Sequence, residues 1–222
     1  MLQNTSKDRK KYEQLIGQLR DKLFTSLTDG NLKETMNVYT SFVSNNSLDK
    51  FYEKVMTPVM TKIGHLWSNG ELSIATEHVA SNIAHSLVKV ISGDFRKSKY
   101  DRGVVILTTP VGEDHDLGCN VLDSFLTSKG FTTFNLSPAT PSESLIEFIK
   151  TARPDALFVS ITLEDNIRSG QRLVKKIHNE YKKLPIFIGG QAFSQKTNFR
   201  FEGKLITDAN MLEQMPQIIK KG

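Results

Sequence analysis

Residues 110–121 read PVGEDHDLGCNV, which sets His115 between two aspartates, two residues after Glu113, with Gly112 before it and Gly118 after. A neutral imidazole ligates a metal best when its second ring nitrogen donates to a carboxylate, and Glu113 and Asp114 are both near enough in sequence to serve. The same ring could act as a general base or as an ordinary loop residue capping a helix. The residues alone leave these readings open. The chain has one cysteine, Cys119, which excludes an intramolecular disulfide and any cysteine-based zinc site, so a metal would be held mainly by His or carboxylate.

Two patterns of apolar spacing show which elements must hold this segment. From Tyr12 to about Phe95 apolar residues recur at three and four: Leu15, Leu19, Leu23 and Leu27, then Met36, Val38, Tyr39, Phe42 and Val43, then Phe51, Val55, Val59, Ile63 and Trp67, then Leu72, Ala75, Val79, Ile83 and Leu87. This is helical spacing on four segments, separated by turn signals at residues 29–30, 45–47 and 68–70. It predicts a four-helix bundle over residues 1–96, with Pro58 kinking the third helix. After the polar, basic stretch 96–102, short apolar runs at 104–107, 132–136, 156–159 and 186–188, and a weaker one at 204–206, alternate with helical segments. Strands buried on both faces, each followed by a crossover helix, predict a doubly wound parallel sheet, Rossmann-like and flavodoxin-like, over residues 101–222. The fold class is α/β. Ligands of such sheets bind outside the carboxyl ends of the strands. The His115 loop follows the first strand and precedes a helix expected at 117–129, Ser160 ends the third strand, and Gly189-Gly190 ends the fourth. All belong to one edge.

The bulk properties narrow the class. The chain has 222 residues, 38% of them hydrophobic, and no run of eighteen apolar residues, so no membrane span is expected. Its polar start lacks the apolar stretch of a secretory signal, and the expected location is cytoplasmic. The formal charge of +5 is spread over clusters at 7–11, 96–102 and 220–221, which read as a solvated face rather than a nucleic-acid footprint.

Taken together and in order, Glu113-x-His115-x-x-Gly118, Ser160-Ile161-Thr162 and Gly189-Gly190 resemble the cobalamin-binding domain of methionine synthase, corrinoid methyl carriers and CarH-type light-dependent regulators. The resemblance implies that His115 replaces the cofactor's dimethylbenzimidazole as lower cobalt ligand, with Glu113 as its hydrogen-bonding partner and Asp114 beside it. It further implies that Gly118 lets helix and corrin pack closely, and that Ser160, Thr162, Gly189 and Gly190 line the slot for the displaced nucleotide tail.

A second match lies in the first half, where Trp67 is followed after nine residues by Glu77-His78. This resembles the adenosylcobalamin signature of CarH-type photoreceptors, and it implies an upper pocket formed by Trp67, Ile74, Glu77 and His78 around an adenosyl group. Two features depart from that group: the bundle begins almost at Met1 with no MerR-type DNA-binding domain, and Ser68 stands where light sensors carry a second cobalt-binding histidine. The implied function is a non-enzymatic light sensor with adenosylcobalamin as chromophore, acting through altered assembly as a homo-oligomer or through a separate transcription regulator rather than by direct DNA binding. The alternative is a corrinoid carrier for methyl transfer.

Overall fold

The computed structural model describes residues 2–95, 102–193 and 199–206, together with Gln217 and Ile219. The expected linker, apart from Arg102, and the basic pair 220–221 lie outside them. The chain forms two compact units, Met1–Val88 and Lys89–Gly222, and the division falls inside the last helix of the first half.

The first unit is built from α1 (Leu2–Thr28), α2 (Leu32–Val43), α3 (Leu48–Phe51), α4 (Thr57–Ser68) and most of α5 (Ile74–Phe95). The apolar stripes meet inside: Leu23, Leu27, Phe42, Phe51, Val55, Ile63, Ala84 and Leu87 are buried. On α1 the stripe runs through Ile16 rather than Leu15, which faces solvent. Two of the three turns are Schellman closures. Gly30 N–H donates to Leu27 O and Asn31 N–H to Ser26 O, and Gly70 N–H donates to Trp67 O and Glu71 N–H to Leu66 O, which satisfies the last carbonyls of α1 and α4.

The third rod departs from the simple kink that Pro58 predicts. Between α3 and α4 runs a π turn, Tyr52–Met56, closed by the Thr57 N–H donating to Tyr52 O. Pro58 sits in the first turn of α4 and has no N–H to give to the Lys54 carbonyl. Arg20 supplies the missing donor, its Nε lying 2.6 Å from Lys54 O. A helix interrupted by proline is thus completed from the neighbouring helix.

The second unit is a five-stranded parallel sheet of order β2-β1-β3-β4-β5, with β1 Val104–Thr108, β2 Thr132–Asn135, β3 Ala156–Ser160, β4 Ile186–Gly189 and β5 Lys204–Leu205. The crossovers carry α6 (Leu117–Ser128), α7 (Ser142–Ala152) and α8 (Ile167–Glu180). The central strands are apolar runs because both faces are covered, and Ile106, Leu157, Val159 and Ile188 pack with Val174 and Ile177 of α8 in one core. β2 is an edge strand and only partly buried, with Phe134 exposed. The chain leaves β1 for β2 on one side and returns to β3 on the other. The switch point therefore lies at the carboxyl ends of β1 and β3, where the His115 loop begins. Among the described residues no helix is long and apolar enough to cross a membrane.

Candidate cobalamin site

The loop after β1 turns Glu113 inward. The Glu113 N–H donates to Pro110 O at 3.0 Å, and Thr109 Oγ1 donates to Glu113 O at 2.8 Å. The side chain of Glu113 is 0% exposed, so an ionised carboxylate there needs a full set of donors. It has them. Oε1 accepts from His115 Nδ1 at 2.7 Å and from the His115 backbone N–H at 3.2 Å. Oε2 accepts from the Thr162 and Leu163 N–H groups, each at 2.9 Å, and from Asn166 Nδ2 at 3.0 Å. Burial pushes the carboxyl up, but the hydrogen bonds from Leu163, Asn166, His115 and Thr162 outweigh it and hold it below the ordinary carboxylate value.

This fixes the chemistry of His115. Its Nδ1–H donates to the carboxylate, which leaves Nε2 with the lone pair, and the side chain is 50% exposed. Among the described residues no group of three or more His, Cys, Asp or Glu could hold a metal ion. A single imidazole with an oriented, open Nε2 suits a metal that arrives with its remaining ligands in place, as a corrin-bound cobalt does. The residues present fit that group.

The other expected site residues are placed as follows. An added Cβ at Gly118 would meet Ser160 Oγ at 2.9 Å, so the start of α6 and the end of β3 are in close approach. Gly190 has φ +117°, and a Cβ there would lie 2.2 Å from Ile161 O. Only glycine fits there. Gly189 pairs with Ser160 across the β3/β4 ladder, and Thr162 contributes its backbone N–H to Glu113. Asp114 is exposed and takes no part in holding the loop. Cys119 is buried with Sγ 3.4 Å from Thr108 O, and burial pushes its thiol up to about 12.

In the first unit, Trp67 and Ile74 are exposed at the hairpin of α4 and α5. Glu77 Oε1 accepts a hydrogen bond from Ser81 Oγ at 2.6 Å, and His78 Nε2 lies 3.7 Å from Oε2. The Ser68 hydroxyl donates back to His65 O at 2.9 Å.

Sequence reasoning missed Asn166. An Asn just before an amphipathic helix reads as an N-cap, yet its side chain makes no capping bond. It donates instead to Glu113 and to Gly112 O at 3.2 Å, while Ser169 Oγ donates to Val111 O at 2.8 Å. Only the folded sheet brings the start of α8 against the histidine loop.

Fold and site together place one oriented, half-exposed histidine at the switch point of a parallel sheet, an arrangement that suits a metal-bearing macrocycle. Two models of the B12 binding domain match, one over residues 103–206 and the other over residues 19–92. The chain belongs to the cobalamin-binding domain family. It is 21% identical over 150 residues to dimethylamine corrinoid protein 3 of Methanosarcina acetivorans, covering 66% of this chain and 70% of that protein. It is 22% identical over 144 residues to the HTH-type transcriptional repressor CarH of Myxococcus xanthus, covering 64% of this chain and 48% of CarH. The Methanosarcina barkeri monomethylamine corrinoid protein has the same fold, with a TM-score of 0.74 over 93% of this chain and 99% of that one, at 15% identity. CarH is thus one distant relative among several corrinoid proteins, and the narrower CarH-type assignment gives way to the family as a whole.

Proposed function

We propose that the chain is a corrinoid carrier for methyl transfer, the alternative that the sequence holds open beside the light sensor. The observation that favours this reading over the sensor is Ser68, which stands where a cobalt-capturing imidazole would be needed and whose hydroxyl donates to His65 O. Glu77 does not decide between the two, since Oε1 accepts from Ser81 Oγ while Oε2, 3.7 Å from His78 Nε2, keeps its capacity to accept from a ligand. The corrinoid proteins among the relatives, and the fold shared end to end with one of them, support the same choice.

Bound cobalamin supplies a cobalt that can accept and release a methyl group. The chain's part would be to hold it: His115 Nε2 would ligate the cobalt, Glu113 fixes the ring and its tautomer, and Gly118, Ser160, Thr162, Gly189 and Gly190 would line the slot for the nucleotide tail. In this reading none of the described residues is called on as acid, base or nucleophile. Methyltransferases on separate chains are the partners in this reading.

Titration of the purified protein with methylcobalamin and adenosylcobalamin, with and without green light, tests it. The carrier predicts binding of the methyl form at least as tight as the adenosyl form, and a hydrodynamic size unaltered by light. A strong adenosyl preference together with a light-driven change of size would refute it in favour of the sensor.

A further inference from the structure

The donors that converge on the Glu113 carboxylate fix a side chain. The backbone that carries it needs its own support, because the histidine ring is aimed only if residues 110–115 hold their course. Part of that course is a tight turn, in which the Glu113 N–H donates to Pro110 O at 3.0 Å and Gly112 takes φ +92°. The other part is Thr109. It directly follows β1 and is buried. Its Oγ1 donates to Glu113 O at 2.8 Å and accepts from the Ala139 N–H at 2.7 Å. A hydroxyl has one proton and two lone pairs. Here the proton goes to the histidine loop, and a lone pair goes to the loop that leaves β2.

That second loop takes an unusual course of its own. Ala139 is exposed and has φ +53°, in the left-handed region that a residue with a Cβ enters at a cost. Such a conformation persists where its surroundings over-determine it, and the bond from Ala139 N–H to Thr109 is one of its determinants. Asn135 holds the start of the loop: its Oδ1 accepts from the Ser137 N–H at 3.1 Å, and its Nδ2 donates to Asn120 Oδ1 on α6 at 2.9 Å. The segment bearing His115 is therefore tied to the β2 loop at both ends, through Thr109 before the histidine and through Asn120 after it. In the buried chain N–H to O–H to C=O each bond polarises the next, which stiffens the link at Thr109.

We propose that Thr109 is a positioning residue for cobalt ligation, its hydroxyl locking the histidine loop to the loop after β2 and so aiming His115 Nε2 without touching the ring. Glu113 sets which ring nitrogen is bare, and Thr109 sets where that nitrogen points. The two tasks are separable, because Thr109 bonds the main-chain carbonyl of Glu113 while the ring is held by its carboxylate. The inference rests on cobalamin ligation by His115 and is independent of the choice between carrier and sensor.

The test uses the full chain and cob(II)alamin. Thr109→Val keeps the shape and the β-branch but leaves Glu113 O and the Ala139 N–H without their partner, whereas Thr109→Ser keeps the hydroxyl. With the fold confirmed by circular dichroism, T109V should bind about tenfold more weakly and lose part of the axial-nitrogen splitting in electron paramagnetic resonance. Nitrogen-15 spectra of its apo form should still show the Nδ1–H ring. T109S should restore most of the affinity and of the splitting. A T109V protein that is less stable in urea yet keeps the parent's affinity and full splitting would make Thr109 a stabilising residue only, and would overturn the proposal. So would a T109S protein no better than T109V, or a T109V ring switched to the Nε2–H form. A parent protein with no axial nitrogen would overturn ligation by His115 itself, a failure visible before any variant is made.

Discussion

Replacing Glu113 with Gln preserves the shape of the buried side chain and removes one acceptor, which makes it a direct probe of the histidine's chemistry. Three donors converge on Oε2 and two on Oε1, so the amide oxygen keeps the Oε2 place. The new NH2 then faces the His115 backbone N–H and Nδ1. The backbone donor cannot change and stays unpaired, at a cost of about 1–3 kcal/mol. The imidazole can escape by moving its proton to Nε2, which puts a hydrogen where the lone pair stood. Glu113→Gln should therefore lose about 1–3 kcal/mol in urea denaturation of the apo chain, and about 10–100-fold in cobalamin affinity by absorbance titration. Long-range nitrogen-15 spectra of the histidine ring should show the switched tautomer. A variant that keeps the Nδ1–H form and binds cobalamin as tightly as the parent would refute the reasoning.

Asn166→Ala should cost about 1–2 kcal/mol in the same denaturation assay by removing one donor from Oε2 and one from Gly112 O. Asn166→Asp should cost more, since it sets a second carboxylate against a buried one, and a tolerated Asp would contradict the saturated-acceptor picture. Gly118→Ala should weaken cobalamin binding through its clash with Ser160 Oγ, and adding Ser160→Ala should restore most of that loss, a coupling that a double-mutant cycle reads directly. Cys119 should resist alkylation at about pH 8 until the chain unfolds. Because its folded value is raised from 9.0 to about 12, the stability it contributes is complete below about 9 and is lost as pH rises toward 12. Rapid labelling of the native protein would show that the thiol is not buried.

The sheet was legible because β1, β3 and β4 are covered on both faces and so appear as unbroken apolar runs. β2 was read as one more apolar run, but it is Thr-Thr-Phe-Asn, and its polar residues fit an edge strand that is only half covered. The Glu113–His115 pair was legible because it is local, two residues apart on one loop. Asn166, Thr162 and Leu163 were not recognised as its support, since they reach Glu113 from some fifty residues away through the β1/β3 pairing. The Trp67 to Glu77-His78 signature was legible for the same reason as the Glu113–His115 pair, being confined to one helical hairpin, whereas the bond from Ser81 Oγ to Glu77 Oε1, one turn further on, was not read.

The π turn at Tyr52–Met56 works as a phase corrector. Apolar residues spaced strictly by four, as Phe51, Val55, Val59, Ile63 and Trp67 are, drift steadily round a helix of 3.6 residues per turn. A turn closed across five residues instead of four takes in one extra residue and returns the stripe toward its starting side. A one-residue deletion between Tyr52 and Met56 would therefore relax the turn to ordinary α-helix and leave Trp67 facing as it does now. The same deletion inside α4 has no slack to draw on and would swing Trp67 by about 100°. Along this rod, the place where the protein can change length is the place that keeps its tip aimed.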